Sequence, residues 1–439
     1  MTAYIPMKEF AERRHKLMER MAPDSIAILP AAPERVRNRD VLHPFRQDSD
    51  FQYLTGFGEP DAVLALIPGR EHGESVLFCK ERNPEKELWD GFLVGPEGAI
   101  ERFGLDDAFP ISDIDDILPG LIEGRSRVYY PLGKDHNFDT QVMDWVKLIR
   151  SKVRTGAQPP GEFVALEHHL HDLRLFKSAN EIRAMARAGE ISAEAHCRAM
   201  RRARQGGSEY QLEAELIHTF MNHGARSTAY PSIVGAGANA CILHYIENSA
   251  PLKDGDLVLI DAGCELECYA SDITRTFPVN GRFSEDQKAV YEVVLAAQYA
   301  AIEAVRPGNH WNHPHEAALR VLCQGLIDLG LLQGTVEQAL EEEAYKPFYM
   351  HRTGHWLGLD VHDVGDYKVG EAWRVLEPGM VLTVEPGLYI APDNAEVDPR
   401  WRGIGIRIED DVVVTRDGCR VLTEGVPKTV AEIEALMAG

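Results

Sequence analysis

The stretch Gly255-Asp256-Leu257-Val258-Leu259-Ile260-Asp261-Ala262-Gly263 is an apolar run that ends in an acid and a glycine, the pattern of a buried strand. Ile273 to Val279 reads as the returning strand of a hairpin whose turn lies around Glu265 to Cys268, in a register that sets Asp261 directly opposite Asp272. Two carboxylates so placed would lie about 5 Å apart. Left unneutralised they would repel, and one would be driven to keep its proton. A dication relieves that repulsion and makes the pair a ligand set. The alternative is a pair of solvated hairpin acids, against which the apolar run before Asp261 argues.

Working outward, Val381-Leu382-Thr383-Val384-Glu385-Pro386-Gly387 is a second apolar strand ending in an acid, and Pro386, without an N–H, ends its ladder. Gly405-Ile406-Arg407-Ile408-Glu409-Asp410-Asp411 alternates so that Arg407 and Glu409 share one face. An acid beside a permanently charged arginine on an apolar strand points to a buried polar site; a solvated edge strand is the other reading. His351, His355 and His362 fall close together among glycines and apolar residues. Asp261, Asp272, His355, Glu385 and Glu409 together form an oxygen-dominated donor set that suits two hard divalent cations, manganese or cobalt rather than a thiolate-bound zinc. Four negative charges balance two dications, and a hydroxide shared between the ions would be the nucleophile.

With these motifs in view the chain resembles the aminopeptidase P family, metallopeptidases related to prolidase and methionine aminopeptidase. The resemblance runs from Phe45-Arg46-Gln47-Asp48-Ser49-Asp50-Phe51 through Ile404 to Asp411. It implies that Asp261, Asp272, His355, Glu385 and Glu409 hold two divalent ions, with Mn²⁺ the best fit, and that Asp272 and Glu409 bridge them. It places His244, His351 and His362 at the substrate, Tyr230 and Arg407 at the pocket, and Trp89, from a neighbouring subunit, at the proline site; Asp40 and Arg154 are further candidates there. The implied substrates are peptides with proline at the second position, and the implied assembly is a homo-oligomer. In the implied reaction a metal-bridging hydroxide attacks the first carbonyl and Glu385 carries its proton towards the leaving nitrogen. His351 and His362 donate to the substrate or the tetrahedral intermediate, while His244 positions the scissile bond. Proline calls for a dedicated enzyme because its nitrogen bears no hydrogen and its φ is fixed. Two rivals stand beside this reading: a prolidase acting on Xaa-Pro dipeptides, and a non-catalytic module of the same fold.

The chain has 439 residues, enough for two domains, and a formal charge of −23. That charge argues against nucleic acid and anionic membranes as partners. No apolar run approaches a membrane span, and charges interrupt the first twenty-one residues, so no signal peptide is expected. Seven cysteines without a Cys-x-x-Cys pair point to reduced thiols in a cytoplasmic protein. The boundary is expected near Gln158-Pro159-Pro160-Gly161, with a connection reaching to about Leu173, giving an α/β amino-terminal domain over 1–172 and an α+β catalytic domain over 173–439. Strands are expected at Ser25 to Leu29, Ala62 to Ile67 and Val76 to Cys79 in the first. In the second, capping boxes at Ser178, Ser208 and Ser284 open helices that precede strands twice. The family resemblance makes this duplication a pita-bread fold.

Overall fold

A computed structural model describes residues 4–439. The chain divides between Arg174 and Leu175 into two compact units. The first is built on a six-stranded mixed sheet in the order Asp107–Pro110, Ser75–Cys79, Val63–Leu66, Ser25–Pro30, Arg127–Tyr130, Glu162–Ala165. Ser25–Pro30 runs antiparallel to Val63–Leu66 and parallel to Arg127–Tyr130. Its central strands are buried along their length, so they read as continuous apolar runs. The helices Ile114–Ile122 and His136–Ser151 bury Ile114, Leu118 and Ile122, and Phe138, Val142, Trp145 and Ile149, in one core with that sheet, the one-sided spacing of an amphipathic helix.

The division lies two residues beyond the expected 1–172, at Arg174, but the Gln158–Gly161 segment is inside the first unit and does not open the connection. It leads into Glu162–Ala165, the sixth strand, paired in parallel with Arg127–Tyr130. The Pro-Pro-Gly sequence marks a turn, and long-range pairing carries the domain past it.

The second unit repeats an arrangement of long helices followed by strands. Ala179–Arg202 and Glu209–Asn222 precede a three-stranded sheet of Ile233–Ala236, Leu257–Asp261 and Thr274–Pro278. Glu285–Ala304 and His313–Asp328 precede a second one of Val381–Val384, Asp410–Val414 and Cys419–Val421, with Gly387–Tyr389 paired to Gly405–Arg407 beside it. Ser178 and Ser284 cap their helices reciprocally: each hydroxyl accepts the N–H three residues on, and Glu181 and Gln287 reach back. At Ser208 the return bond is present, Gln211 accepting the Ser208 N–H at 3.1 Å.

The hairpin after Asp261 departs from the expected register. Asp261 pairs with Thr274, and Leu266 with Tyr269. The turn is the two residues Glu267 and Cys268, both left-handed with φ of 50° and 68°, the conformation that closes a two-residue hairpin. Asp272 therefore lies diagonally from Asp261, two residues beyond its partner and on the same face. The ladder pinches between them: a Cβ on Gly263 would lie 1.7 Å from the carbonyl oxygen of Ser271, so only glycine fits.

Candidate metal centre

Five segments carry the acids and the histidine, and backbone bonds lay them side by side. The Glu409 N–H donates to Thr274 O at 3.0 Å, joining the two sheets. Thr383 N–H donates to His355 O at 3.0 Å and Glu385 N–H to Thr353 O at 2.9 Å, tying the histidine loop to the Val381–Val384 strand. Pro386 separates that strand from Gly387–Tyr389 and so lets Glu385 turn out of the ladder.

Asp261, Asp272, His355, Glu385 and Glu409 thereby line one open cavity of about 400 Å³ with Tyr230, His244, His351, His362 and Arg407. Asp272, His355 and Glu409 each offer a ligand atom within 4.8 Å of the others. His355 Nε2 lies 3.4 Å from Asp272 Oδ2 and 3.7 Å from Glu385 Oε1. Its Nδ1 faces the carbonyl of Trp356 at 2.9 Å. That carbonyl can only accept, so Nδ1 carries a proton and Nε2 is the nitrogen turned to the carboxylates, where a bound ion would take the place of its proton.

The electrostatics fit a cation. Burial, then Asp261, raises the Asp272 carboxyl above its ordinary value. Burial pushes Glu385 up to about 7 against the pull of His355 and Arg407. Glu409 is held well above the usual carboxylate range by burial and by Asp272. For His355 burial favours the neutral ring, but the bond to Asp272 and the charge of Glu385 outweigh it and raise it to about 9. These carboxylates are under-compensated by the protein alone, and a ring of oxygen donors with one imidazole accepts a hard divalent ion.

Other residues at the cavity are engaged with the acids or with one another. Arg407 donates from Nη2 to Asp261 Oδ2 at 2.5 Å, from Nη1 to the Tyr389 hydroxyl at 3.0 Å and from Nε to Thr274 Oγ1 at 3.1 Å. Tyr230 donates to Asp261 Oδ1 at 2.6 Å and also contacts Asp272 Oδ1. Burial and those two acids hold its phenol well above the usual value. Both residues line the cavity, but their polar atoms serve the acids. His351 is likewise engaged: Nδ1 faces the Arg352 carbonyl at 2.7 Å, and Nε2 accepts from the Tyr389 hydroxyl at 2.8 Å. Burial, with Arg407 nearby, lowers it to about 3, so the ring is neutral. His244 and His362 are exposed at the mouth.

Tyr389, Thr274, Thr383 and Asp411 escaped the sequence reading. Asp411 Oδ2 accepts the Asp272 N–H at 3.1 Å, and Thr383 Oγ1 accepts from His355 N at 3.1 Å. The doubled acid after Glu409 was the one signal that could have marked Asp411. Trp89, on Pro84–Asp90 of the first unit, is 85% exposed beside Leu88 and Phe92 and is not among the cavity residues. Asp40 and Arg154 are also exposed.

A second cluster, His310, His313 and Glu316, holds potential ligand atoms within 4.8 Å, but its geometry is wrong for a metal. The two rings stack 3.5 Å apart and 15° from parallel, so their in-plane lone pairs cannot meet on one ion. Each Nδ1 already accepts a backbone N–H, from His310 and Asn312.

A cavity floored by carboxylates and one imidazole whose Nε2 faces them defines a metallohydrolase class of site. Residues 183–416 match the family described as metallopeptidase family M24, and residues 10–129 match the aminopeptidase P N-terminal domain. The chain is 48% identical to an Escherichia coli (strain K12) protein named Xaa-Pro aminopeptidase, over 99% of this chain and 98% of that one. The fold is similar to the solved structure of Pseudomonas aeruginosa aminopeptidase PepP, with a TM-score of 0.99 and 68% identity, covering 100% of this chain and 99% of that one. It is similar also to proline aminopeptidase P II from Yersinia pestis, with a TM-score of 0.96 and 50% identity, over 99% and 100% of the two chains. The chain belongs to metallopeptidase family M24, in its aminopeptidase P branch: a metallo-exopeptidase with an amino-terminal α/β domain and a pita-bread catalytic domain. Family membership implies divalent metal ions. No helix among the described residues is long and apolar enough to cross a membrane.

Proposed function

We propose that the protein removes an N-terminal residue that precedes proline, using two divalent ions, Mn²⁺ by preference, held by Asp261, Asp272, His355, Glu385 and Glu409. The observation that carries this reading is the convergence of those five side chains on one cavity with His355 Nε2 turned inwards to the acids. Bound metal would polarise the scissile carbonyl and make water a nucleophile at neutral pH. Glu385 takes the proton of the attacking water and delivers it to the leaving imino nitrogen. His244 and His362, exposed at the mouth, meet the substrate; His244 positions the scissile bond and His362 donates to the developing oxyanion. His351, with both nitrogens engaged, orients the Tyr389 and Arg407 hydroxyl–guanidinium pair instead. Tyr230 and Arg407 hold the acids in place. We propose further that the exposed Leu88, Trp89 and Phe92 surface is covered in a homo-oligomer, Trp89 reaching a neighbouring subunit's proline site, and that the protein works in the cytoplasm.

The test follows release of the first amino acid from a tripeptide Xaa-Pro-Yaa by chelator-treated protein with and without added Mn²⁺. Metal-dependent release is the expected result; no release despite measured metal binding, together with cleavage of Xaa-Pro dipeptides, would assign a prolidase. Glu385→Gln should abolish turnover, and near-normal turnover with both metals bound would remove its assigned role.

A further inference from the structure

His362 has an unusual support. Its imidazole is exposed at the cavity mouth and packs edge-on against His355 with ring centroids 4.4 Å apart. Among the described residues no hydrogen bond holds the ring itself. Its aim is therefore set by the backbone of residues 356–363.

That backbone is fastened at several points. Leu357 N–H donates to Val381 O at 3.1 Å, Gly358 N–H to Asp360 O at 3.1 Å, and Asp363 N–H to Trp356 O at 2.9 Å, while Gly358 O accepts from Ala270 N–H at 2.8 Å. Beside His362 the anchor becomes ionic. Asp363 Oδ2 accepts from Lys177 Nζ at 2.8 Å, and both side chains are 1% exposed. Lys177 is itself fixed: its N–H donates to Gly379 O at 2.9 Å, and Ser178, the next residue, caps the Ala179–Arg202 helix. The pair also shapes the loop through Gly358. A Cβ there would lie 2.2 Å from Asp363 Oδ2 and 2.9 Å from Lys177 Cε, so the loop closes over the ion pair only with glycine at that place.

A buried ion pair adds little net stability over an apolar pair of the same volume, because desolvation of both charges offsets their attraction. Its effect here is directional, since it holds one backbone position to one helix start. We propose that Lys177 and Asp363 are positioning residues that aim the His362 imidazole into the cavity beside His355. The proposal rests on the reading of His362 as a donor to the reacting carbonyl.

The experiment uses the full-length Mn²⁺-loaded protein, with kcat and KM on a tripeptide Xaa-Pro-Yaa, bound metal and the thermal midpoint measured for each variant. His362→Ala should lower kcat about a hundredfold with metal content unchanged. The neutral pair Lys177→Met/Asp363→Asn should keep its metal and its midpoint, yet lose at least about tenfold in kcat with KM within about threefold. Adding His362→Ala to that pair should lower kcat no further than His362→Ala alone, since the ion pair acts through that ring. Parent kcat in the neutral pair beside a crippled His362→Ala protein would overturn the proposal alone, as would a triple variant that falls by the product of the two losses. Parent kcat in His362→Ala itself would remove the His362 reading and the proposal with it. Should the neutral pair fail to fold or to bind metal, Gly358→Ala, which displaces the pair without removing a charge, must show the same loss and the same non-additivity with His362→Ala.

Discussion

Glu409 and Asp410 are adjacent in the chain, both almost fully buried, and opposite in charge environment. Asp410 faces the packed side of its strand. Burial alone would raise its carboxyl, but Arg275 and Lys428 hold it down at about 2. It accepts from Arg275 Nη2 and Lys428 Nζ, each at 2.8 Å, from Thr423 Oγ1 at 2.7 Å and from Gln298 Nε2 at 2.5 Å. Glu409 faces the cavity, where Asp272, Glu385 and Asp261 add to the effect of burial and Arg407 opposes them with less weight. The difference teaches what kind of site this is. On the packed side the protein supplies its own counter-cations and hydrogen-bond donors to the carboxylate. On the cavity side it concentrates carboxylates and leaves the balancing charge to come from solution, as a divalent ion does.

The largest test of this contrast is a pair of substitutions in chelator-treated protein. Arg275 is fully buried and also donates to the carbonyls of Thr274, Glu409, Val426 and Pro427. Arg275→Met strands Asp410 and should cost about 3–5 kcal/mol in urea unfolding. Glu409→Gln replaces a carboxyl that burial and its acidic neighbours already hold towards the protonated form with a neutral amide of like shape, and should change stability by less than about 1 kcal/mol. Equal losses in the two variants would break the comparison.

Next in size is the pH dependence, where the two faces carry opposite signs. The folded Asp410 value of about 2 lies below the unfolded value near 3.9, so its contribution is complete above about pH 4 and is lost as the pH falls through about 2. In metal-stripped protein Glu385 sits at about 7, above the unfolded value near 4.3, so the folded state binds the extra proton in between. Stability of the stripped protein should therefore fall as pH rises from about 4.5 to 7 and go on falling above, where His355 and Glu409 still hold protons that the unfolded chain has lost. Unfolding midpoints across that range, with chelator and with Mn²⁺, read this directly. A flat profile for the stripped protein would mean that the cavity acids are balanced internally after all.

The smallest effect sharpens the packed side alone. Thr423→Val deletes one hydroxyl donor to the Asp410 carboxylate while keeping the shape, and should cost about 2 kcal/mol, less than loss of Arg275. A loss as large as that of Arg275→Met would show that the network works as one unit rather than as a charge pair with neutral supports.

How much of this was readable in advance depends on how local each feature is. The runs ending in Asp261 and Glu385 stand out because strand burial is written as consecutive apolar residues and an acid at the end breaks the pattern. The Ser178 and Ser284 boxes are legible because their bonds span three residues. The hairpin register was not, since neither Glu267 nor Cys268 is the glycine or asparagine that announces a left-handed turn. The start of the connection was misplaced for a related reason: Pro159-Pro160-Gly161 looks like a linker, and only the pairing of Glu162–Ala165 with Arg127–Tyr130 places it inside the first unit.

By itself, then, the sequence determined the strand ends, the helix starts and the kinds of side chain available to bind a hard cation, all properties of residues within one or two turns of one another. The tertiary structure decided which acids are neutralised and which are left for an ion. Arg275 meets Asp410 across 135 residues, Tyr230 reaches Asp261 across 31, and Lys177 finds Asp363 across 186. A charge in the chain carries no sign of its partner until folding removes water from both, and burial then makes the presence or absence of that partner the dominant energy at the site.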